Sequence, residues 1–447
     1  MHTVQKKSNS EPGLDMVSGV DLSGPMEARL SPKVRTLFAD LGQAADAMGC
    51  ALYLVGGWPR DLLLNRPNFD VDVVVEGDGV AFAEAFVSKK GGRVVSHERF
   101  QTAMIVLEDG CKVDVVSARR ERYDRPGALP AVELSGIEQD LYRRDFTINS
   151  MAIQLNAVGY GRLVDLFGGR RDLRQKTLRV LHKRSFVEDP TRIMRAVRFE
   201  QRFGFRMERT TEQLLRRAVA DRMLGRVSPE RIREELILLL REERPFKPLL
   251  RLDELGVLRT LHPGLRIDGD REDLFARIGE TLSWFGQRHP DDEVDRWMLF
   301  FLGLMDALGD EEKSAFAEKW HMPRKVRELV REIDSFPEVL VPLTQAHISA
   351  SRTYRSLKPL SIESVLFLMA RTTEESVEQR IELYLDRLRN ASISLSGRDL
   401  DNMGIPQGPI FSMILDKVIN AKIDGKVCSK EEELAWAGKI WKESGKA

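Results

Sequence analysis

Gly56 and Gly57, the pair Arg60-Asp61, and the aspartates Asp70 and Asp72 fall within seventeen residues, and together they could perform chemistry on a phosphate. Two glycines let a turn bring its backbone close to a polyphosphate, because no Cβ stands in the way. Arg60 adds a forked cation ahead of a helical stretch, Asp61 to Leu64, and the free backbone N–H groups of a helix start also suit an anion. From Phe69 to Glu76 the side chains alternate, which places Asp70 and Asp72 on one face of a strand and Val71 and Val73 on the other. Carboxylates that close repel one another. Mg2+ relieves the cost, since hard divalent ions favour carboxylate and phosphate oxygens. Taken singly, a glycine pair is an ordinary turn and Asp-x-Asp a solvated strand face. The combination reads as nucleotidyl transfer.

Elements that could position these groups are legible around them. The apolar run Leu52 to Val55 is a short strand that delivers the glycine turn. Ser31-Pro32 is a cap and first-turn pair ahead of Val34, Leu37, Phe38 and Leu41 at helical spacing. Strand-like runs dominate to about residue 182, and after Glu188 nearly everything is helical, including Pro229 to Arg241 with its apolar stripe Ile232, Leu236, Leu239 and Leu240. Pro190 fits the first turn of a helix on which Arg192, Arg195 and Arg198 share one broad face, while Ile193, Ala196 and Val197 supply the apolar side. Read alone, that helix is equally an arginine-rich solvated helix capped by Asp189.

The order Gly-Gly-x-x-Arg-Asp followed by Asp-x-Asp resembles the head of the class II tRNA nucleotidyltransferase and bacterial poly(A) polymerase family. The block Arg143-Arg144-Asp145-Phe146-Thr147-Ile148-Asn149 matches that family almost letter for letter. The chain departs from it at Trp58-Pro59, where proline remains compatible with a first helical turn. The resemblance implies an α+β fold: a polymerase-beta-like head built on a mixed sheet, then an all-helical neck, body and tail. Asp114, in the strand-like Lys112 to Val116, becomes either a third catalytic acid beside Asp70 and Asp72 or a surface residue of an edge strand. Arg119 to Pro130, rich in charge, Pro and Gly, resembles the family's flexible loop, which members adding only CC typically lack. Asp145 is expected as a helix N-cap, Arg144 on the triphosphate and Asn149 on the sugar. Leu163 to Phe167 and Gly168 to Leu173 read as strand, turn and strand. Asp189 and Arg192, in Glu-Asp-Pro-Thr-Arg, correspond to the family's pair that reads the edge of the incoming base, and Arg60, Arg195 and Arg198 would hold phosphates.

The implied reaction is template-independent addition of CCA-end nucleotides, CCA or the terminal A, to the tRNA 3′ end from CTP and ATP with Mg2+ as cofactor. Rivals are a poly(A) polymerase, a CC-adding enzyme, an idle RNA-binding relative and an aminoglycoside-modifying nucleotidyltransferase, which needs no long helical tail. The 447 residues carry 69 basic and 69 acidic side chains, so there is no global basic signal. Between 183 and 251, however, 18 Lys and Arg face 11 Asp and Glu, which suits an RNA backbone. Cys50, Cys111 and Cys428 are too dispersed for a disulfide framework or a zinc site, and no stretch is apolar enough for a membrane, so a reducing cytoplasm is expected. The expected organisation is a disordered extension at 1–28, the head at 29–182, a neck at 183–251, a body at 252–350 and a tRNA-binding tail at 351–447. Thr353 to Leu360 and the turn Gly404 to Pro409 ahead of a helix favour the tRNA branch by their resemblance. The oligomeric state is left open.

Overall fold

The computed structural model describes residues 20–67, 70–97 and 101–444. The chain divides into two compact units, one of residues 1–235 with 255–260 and one of residues 236–254 with 261–447. The first unit opens with α1 (Ser23–Arg29) and α2 (Pro32–Met48). Ser31 accepts the Val34 N–H and Pro32 fills the first turn, so the predicted start of α2 holds, and Leu37, Phe38 and Leu41 are buried. Residues 1–19 of the expected extension lie outside the described residues. Its remainder is a correction: Leu22 and Met26 are buried and the Leu22 N–H donates to the Gly161 carbonyl, so this stretch belongs to the head.

A seven-stranded mixed sheet forms the platform of the head, and the α+β class predicted from the sequence is the one found. It comprises β1 (Ala51–Leu54), then, beyond α3 (Gly57–Leu63), β2 (Val71–Glu76); α4 (Gly79–Lys90) leads to β3 (Arg93–His97), β4 (Thr102–Val106) and β5 (Lys112–Ser117). After the hairpin β6 (Arg119–Arg122) and β7 (Ala131–Leu134) and helix α5 (Ile137–Tyr142), β8 (Ala152–Gln154) and β9 (Leu163–Val164) complete the order β3-β4-β5-β2-β1-β8-β9. Among the described strands of this sheet, only β2 and β5 pair in parallel, with Asp72 opposite Asp114. Val71, Val73 and Val75 of β2 pack into the core on one face, and the alternation turns Asp72, with the buried Val74, to the other.

One local expectation holds in part and one fails. The Arg119 to Pro130 segment is a loop only over 123–130: Arg119–Arg122 is strand β6, paired with β7 from Arg119 opposite Leu134 to Arg122 opposite Ala131, and within the loop the Gly127 N–H reaches the Glu188 carbonyl. Gly169–Arg174 is a helix, α6, because the Asp165 carboxylate accepts the Gly169 and Arg170 N–H groups at 2.7 and 2.9 Å and caps it. A short β10 (Thr177–Leu178) follows, then α7 (Ser185–Glu188) and α8 (Arg192–Phe203).

The second unit is helical. The division expected at residue 350 cuts through its packing, since the helix Ile362–Arg371 lies on Gly269–Arg288, whose Arg277 Nε donates to the Ala370 carbonyl at 2.7 Å. Nearer the C-terminus, Leu395, Leu400, Ile405, Ile414, Val418, Ala437 and Ile440 form a separate cluster, and the helix expected after the Gly404 to Pro409 turn runs over Pro409–Ile423, with Pro409 in its first turn.

Candidate active site

β1 ends at Gly56, whose φ of 67° is one that residues with a Cβ rarely adopt. A Cβ there would lie 3.3 Å from the Asp72 Oδ2 and 3.7 Å from the Arg144 Nη1, so the glycine lets turn, carboxylate and guanidinium converge. Trp58 and Pro59 fall in the first turn of α3, and Trp58 packs edge-on against Phe38 at 5.2 Å. The departure from the family's usual residues is thus absorbed by the core. Asp72 is half-buried; burial, reinforced by Asp114 and Asp70 and partly offset by Arg144, pushes its carboxyl up to about 6. Burial and Asp70 likewise raise Asp114.

A cavity of about 730 Å³ opens in front of this wall, lined by seven arginines and six carboxylates. Nearly equal numbers mean that the cations are already engaged. Arg60 is buried, with Nε and Nη2 each 2.8 Å from the Asp61 carboxylate, Nη1 2.6 Å from the Asn149 Oδ1, and its guanidinium over the Phe203 ring. Asn149 in turn donates to Asp145 at 3.0 Å. Arg144 donates to Asp140 at 2.9 Å, and Arg143 bridges Asp140 and Glu121. Arg195 joins Asp145 to Glu235 at 2.6 and 3.2 Å, and Arg198 takes the other Glu235 oxygen at 3.1 Å. Burial opposes ionisation of Asp145, yet Arg195 and Asn149 outweigh it and hold the carboxyl at about 2.

Asp189 and Arg192 also line the cavity. Asp189 accepts from the Thr191 backbone N–H at 3.1 Å and hydroxyl at 2.7 Å, and both its oxygens meet the Arg231 Nη2 at 2.8 and 2.9 Å. Arg192 donates to the Ser185 hydroxyl at 2.7 Å and the Arg143 carbonyl at 2.6 Å, which engages two of its five N–H donors.

The family profile described as the poly A polymerase head domain matches residues 52–179, and the profile described as a probable RNA and SrmB-binding site of polymerase A matches 204–267. An A-adding tRNA nucleotidyltransferase of Geobacter sulfurreducens is 41% identical over 93% of this chain, which spans 48% of that protein. Another, from Halalkalibacterium halodurans, is 34% identical over 90% of this chain and 91% of its own length. The chain belongs to the class II tRNA nucleotidyltransferase and bacterial poly(A) polymerase family. A Thermotoga maritima CCA-adding enzyme, solved in complex with tRNA, superposes with a TM-score of 0.74 at 34% identity over 94% of this chain and 99% of that one.

Of the residues that the family pattern singled out, Gly56, Gly57, Arg60, Asp70, Asp72, Arg144, Asn149, Asp189, Arg192, Arg195 and Arg198 all line the cavity. Asp114 does not; it stands beside Asp72 across the β2–β5 pair, exposed, and acts on the cavity through its charge. Asp145 is not an α-helix cap: a single 3₁₀ turn, Thr147–Asn149, follows it, and its carboxylate holds the Phe146 N–H, Asn149 and Arg195. Asn149 accepts from Arg60 and donates to Asp145 while lining the cavity. Asp189 lines the cavity and its Oδ1 accepts the Thr191 N–H just ahead of α8, whose N-cap, Thr191, makes no side-chain cap hydrogen bond; with Arg192 and Arg198 buried, the solvated-helix reading fails. Sequence reasoning missed Glu121, Tyr123, Arg231 and Glu235. Glu121 and Tyr123 sat in the charge-rich segment taken as a loop, whereas Arg231 and Glu235 lie about forty positions from their partners and gave no local signal.

Among the described residues no group of three or more His, Cys, Asp and Glu side chains is arranged to hold a metal ion. The Asp70–Asp72 pair nevertheless has the right chemistry for one, because burial and neighbouring like charge leave Asp72 a carboxylate that a divalent cation would relieve. Among the described residues no helix is long and apolar enough to cross a membrane.

Proposed function

We propose that this chain is a template-independent nucleotidyltransferase that adds CCA-end nucleotides, CCA or the terminal A, to the 3′ end of tRNA from ATP and CTP, releasing pyrophosphate. The observation that carries the reading is a single cavity lined by Asp70, Asp72 and Arg144 together with Asp189 and Arg192. Reacting phosphate and selected base can therefore be held by different parts of one site.

The primer's 3′-oxygen forms a bond to the α-phosphorus of the nucleotide while the bond from that phosphorus to the bridging oxygen breaks. Asp70 and Asp72 would hold a divalent cation such as Mg2+, which when bound would supply charge neutralisation at the reacting phosphate. Gly56 and Gly57 admit the polyphosphate to the turn, and Arg144 faces it from beside Asp72. Arg60, Arg195 and Arg198 hold phosphate by sharing N–H groups with the carboxylates that now orient them. Asp189 accepts from an exocyclic amine and Arg192 donates to a ring acceptor, so protein side chains stand in for a template.

Polyadenylation is the nearest rival, and the tRNA reading is favoured by tRNA nucleotidyltransferase relatives along nearly the whole chain. The retained β6–β7 hairpin supports an enzyme that adds A over one that adds only CC. Cys50, Cys111 and Cys428 are free, as suits a reducing cytoplasm. Purified protein, Mg2+ and labelled ATP or CTP, offered tRNAs ending before C74, after C74 and after C75, test the assignment. Addition that stops at the mature end is expected; open-ended adenylation of a generic RNA would overturn it.

A further inference from the structure

Beside the recognition residues lies an aromatic patch that the nucleotide cavity does not use. Tyr142 ends α5 immediately before Arg143 and Arg144, and it is 50% exposed. Its ring lies 5.2 Å from the His182 imidazole at 31° and 5.8 Å from Phe167 at 46°. Phe167 itself packs on the core cluster beneath the sheet that contains Leu141. The exposed ring is therefore braced from behind and presents a flat face in a fixed position, at little ordering cost to a ligand.

Two further observations indicate what would lie on such a face. His182 is kept neutral, since burial and the charges of Arg192 and Arg184 push it down to about 4, so the stack carries no cation of its own at physiological pH. Its Nε2 lies 3.5 Å from a Glu188 carboxylate oxygen. Lys183 and Arg184 flank it on the surface, suited to a phosphodiester. The patch also borders the cavity without being part of it. Neither Tyr142 nor His182 lines the cavity, yet Arg143, next to Tyr142, accepts from Arg192 through its carbonyl, and Glu188, beside His182, precedes Asp189. An incoming nucleotide whose base meets Asp189 and Arg192 is inside. The strand that it extends arrives from outside and ends at the α-phosphate. Unpaired RNA bases are held on aromatic faces flanked by cations.

We propose that Tyr142, backed by His182 and Phe167, is a stacking platform for the unpaired 3′-terminal base of the RNA primer. The inference rests on the proposed reaction and adds the place where the primer end is held.

The test uses the full chain and a tRNA primer whose terminal base is 2-aminopurine, with binding read separately by anisotropy. Stacking on Tyr142 quenches the fluorescence on binding. Tyr142→Ala and Tyr142→Leu, the latter keeping an apolar contact with Phe167, should lose the quench and raise KM for the primer roughly tenfold with KM for ATP unchanged, and Tyr142→Phe should retain both. A primer with an abasic terminal nucleotide should be indifferent to the substitution. A quench that survives in both non-aromatic variants, an equal loss on the abasic primer, or a rise in KM for ATP that follows the rise for primer, which would place the incoming base on the ring, overturns the platform. If tRNA is bound and extended without a quench, the platform alone falls. If tRNA is not bound at all, the proposed reaction falls and the platform with it.

Discussion

Replacing Arg231 by Met tests whether base selection depends on how Asp189 is held. A carboxylate has about four acceptor positions. The Asp189 Oδ1 takes the Thr191 N–H and hydroxyl and the Arg231 Nη2 at 2.8 Å, and the Oδ2 meets only that Nη2, at 2.9 Å, which leaves Oδ2 an acceptor position for a base. The Arg231 Nη1 is buried without a hydrogen-bond partner, so Asp189 is the principal anchor of that guanidinium. A charge-assisted hydrogen bond contributes about 1.5–3 kcal/mol. With side chains 27% and 16% exposed, partial screening argues for the lower end of that range. Loss of this restraint should let the Asp189 carboxylate rotate, and the preference for ATP over UTP should fall about tenfold, equivalent to about 1.4 kcal/mol. Methionine preserves much of the length and packing of arginine, and the Arg231→Lys variant, with one donor group and the same charge, should lie between. The assay is single-turnover incorporation of each nucleotide at saturating tRNA. If Arg231→Met slows all nucleotides alike while Asp189→Ala relaxes selectivity, then Arg231 only braces the helix and the reasoning fails.

Asp70→Ala and Asp72→Ala should each abolish incorporation while circular dichroism stays that of the wild type, because each removes a carboxylate for the cation; near-normal turnover in either would sink the metal assignment. Asp189→Ala or Arg192→Ala should cost about 1–3 kcal/mol of discrimination and raise UTP and GTP misincorporation, seen as a changed preference and not a uniform loss of rate. Asp145→Asn should destabilise the head by about 2 kcal/mol at neutral pH, read by urea dependence of hydrogen exchange in head peptides. Because the folded carboxyl sits near 2 against an ordinary 3.8, that contribution is fully present above 3.8 and is lost as pH falls toward 2. A gap between wild type and variant that persists at pH 2 contradicts the ion pair. Affinity for tRNA should fall with salt, with a logarithmic slope of about −2 or steeper, and a slope shallower than about −1 removes the basic segment from RNA binding.

The sequence by itself determined the features that depend on neighbours along the chain. Period-two alternation set Asp72 against Val71 and Val73 of β2, Ser31-Pro32 started α2, and the glycine pair placed a turn at the end of β1. These rest on backbone geometry over a few residues, which local residue types specify. Even the missed helix α6 had a local signal, an Asp165 cap four residues ahead. Only the tertiary structure decided how the arginines are used. Arg60 is turned to Asp61 and Asn149, Arg195 to Asp145 and Glu235, and Asp189 to Arg231. The spacing of Arg192, Arg195 and Arg198 says that they share a helix face, but not which anion each one meets. A guanidinium in a half-buried cavity is drawn to whichever carboxylates the fold brings within reach, and those come from segments tens of residues away. The same reason separates Asp114 from Asp72: strand alternation made each a candidate ligand, and the parallel pairing of β2 with β5 set them side by side yet left only Asp72 on the cavity wall.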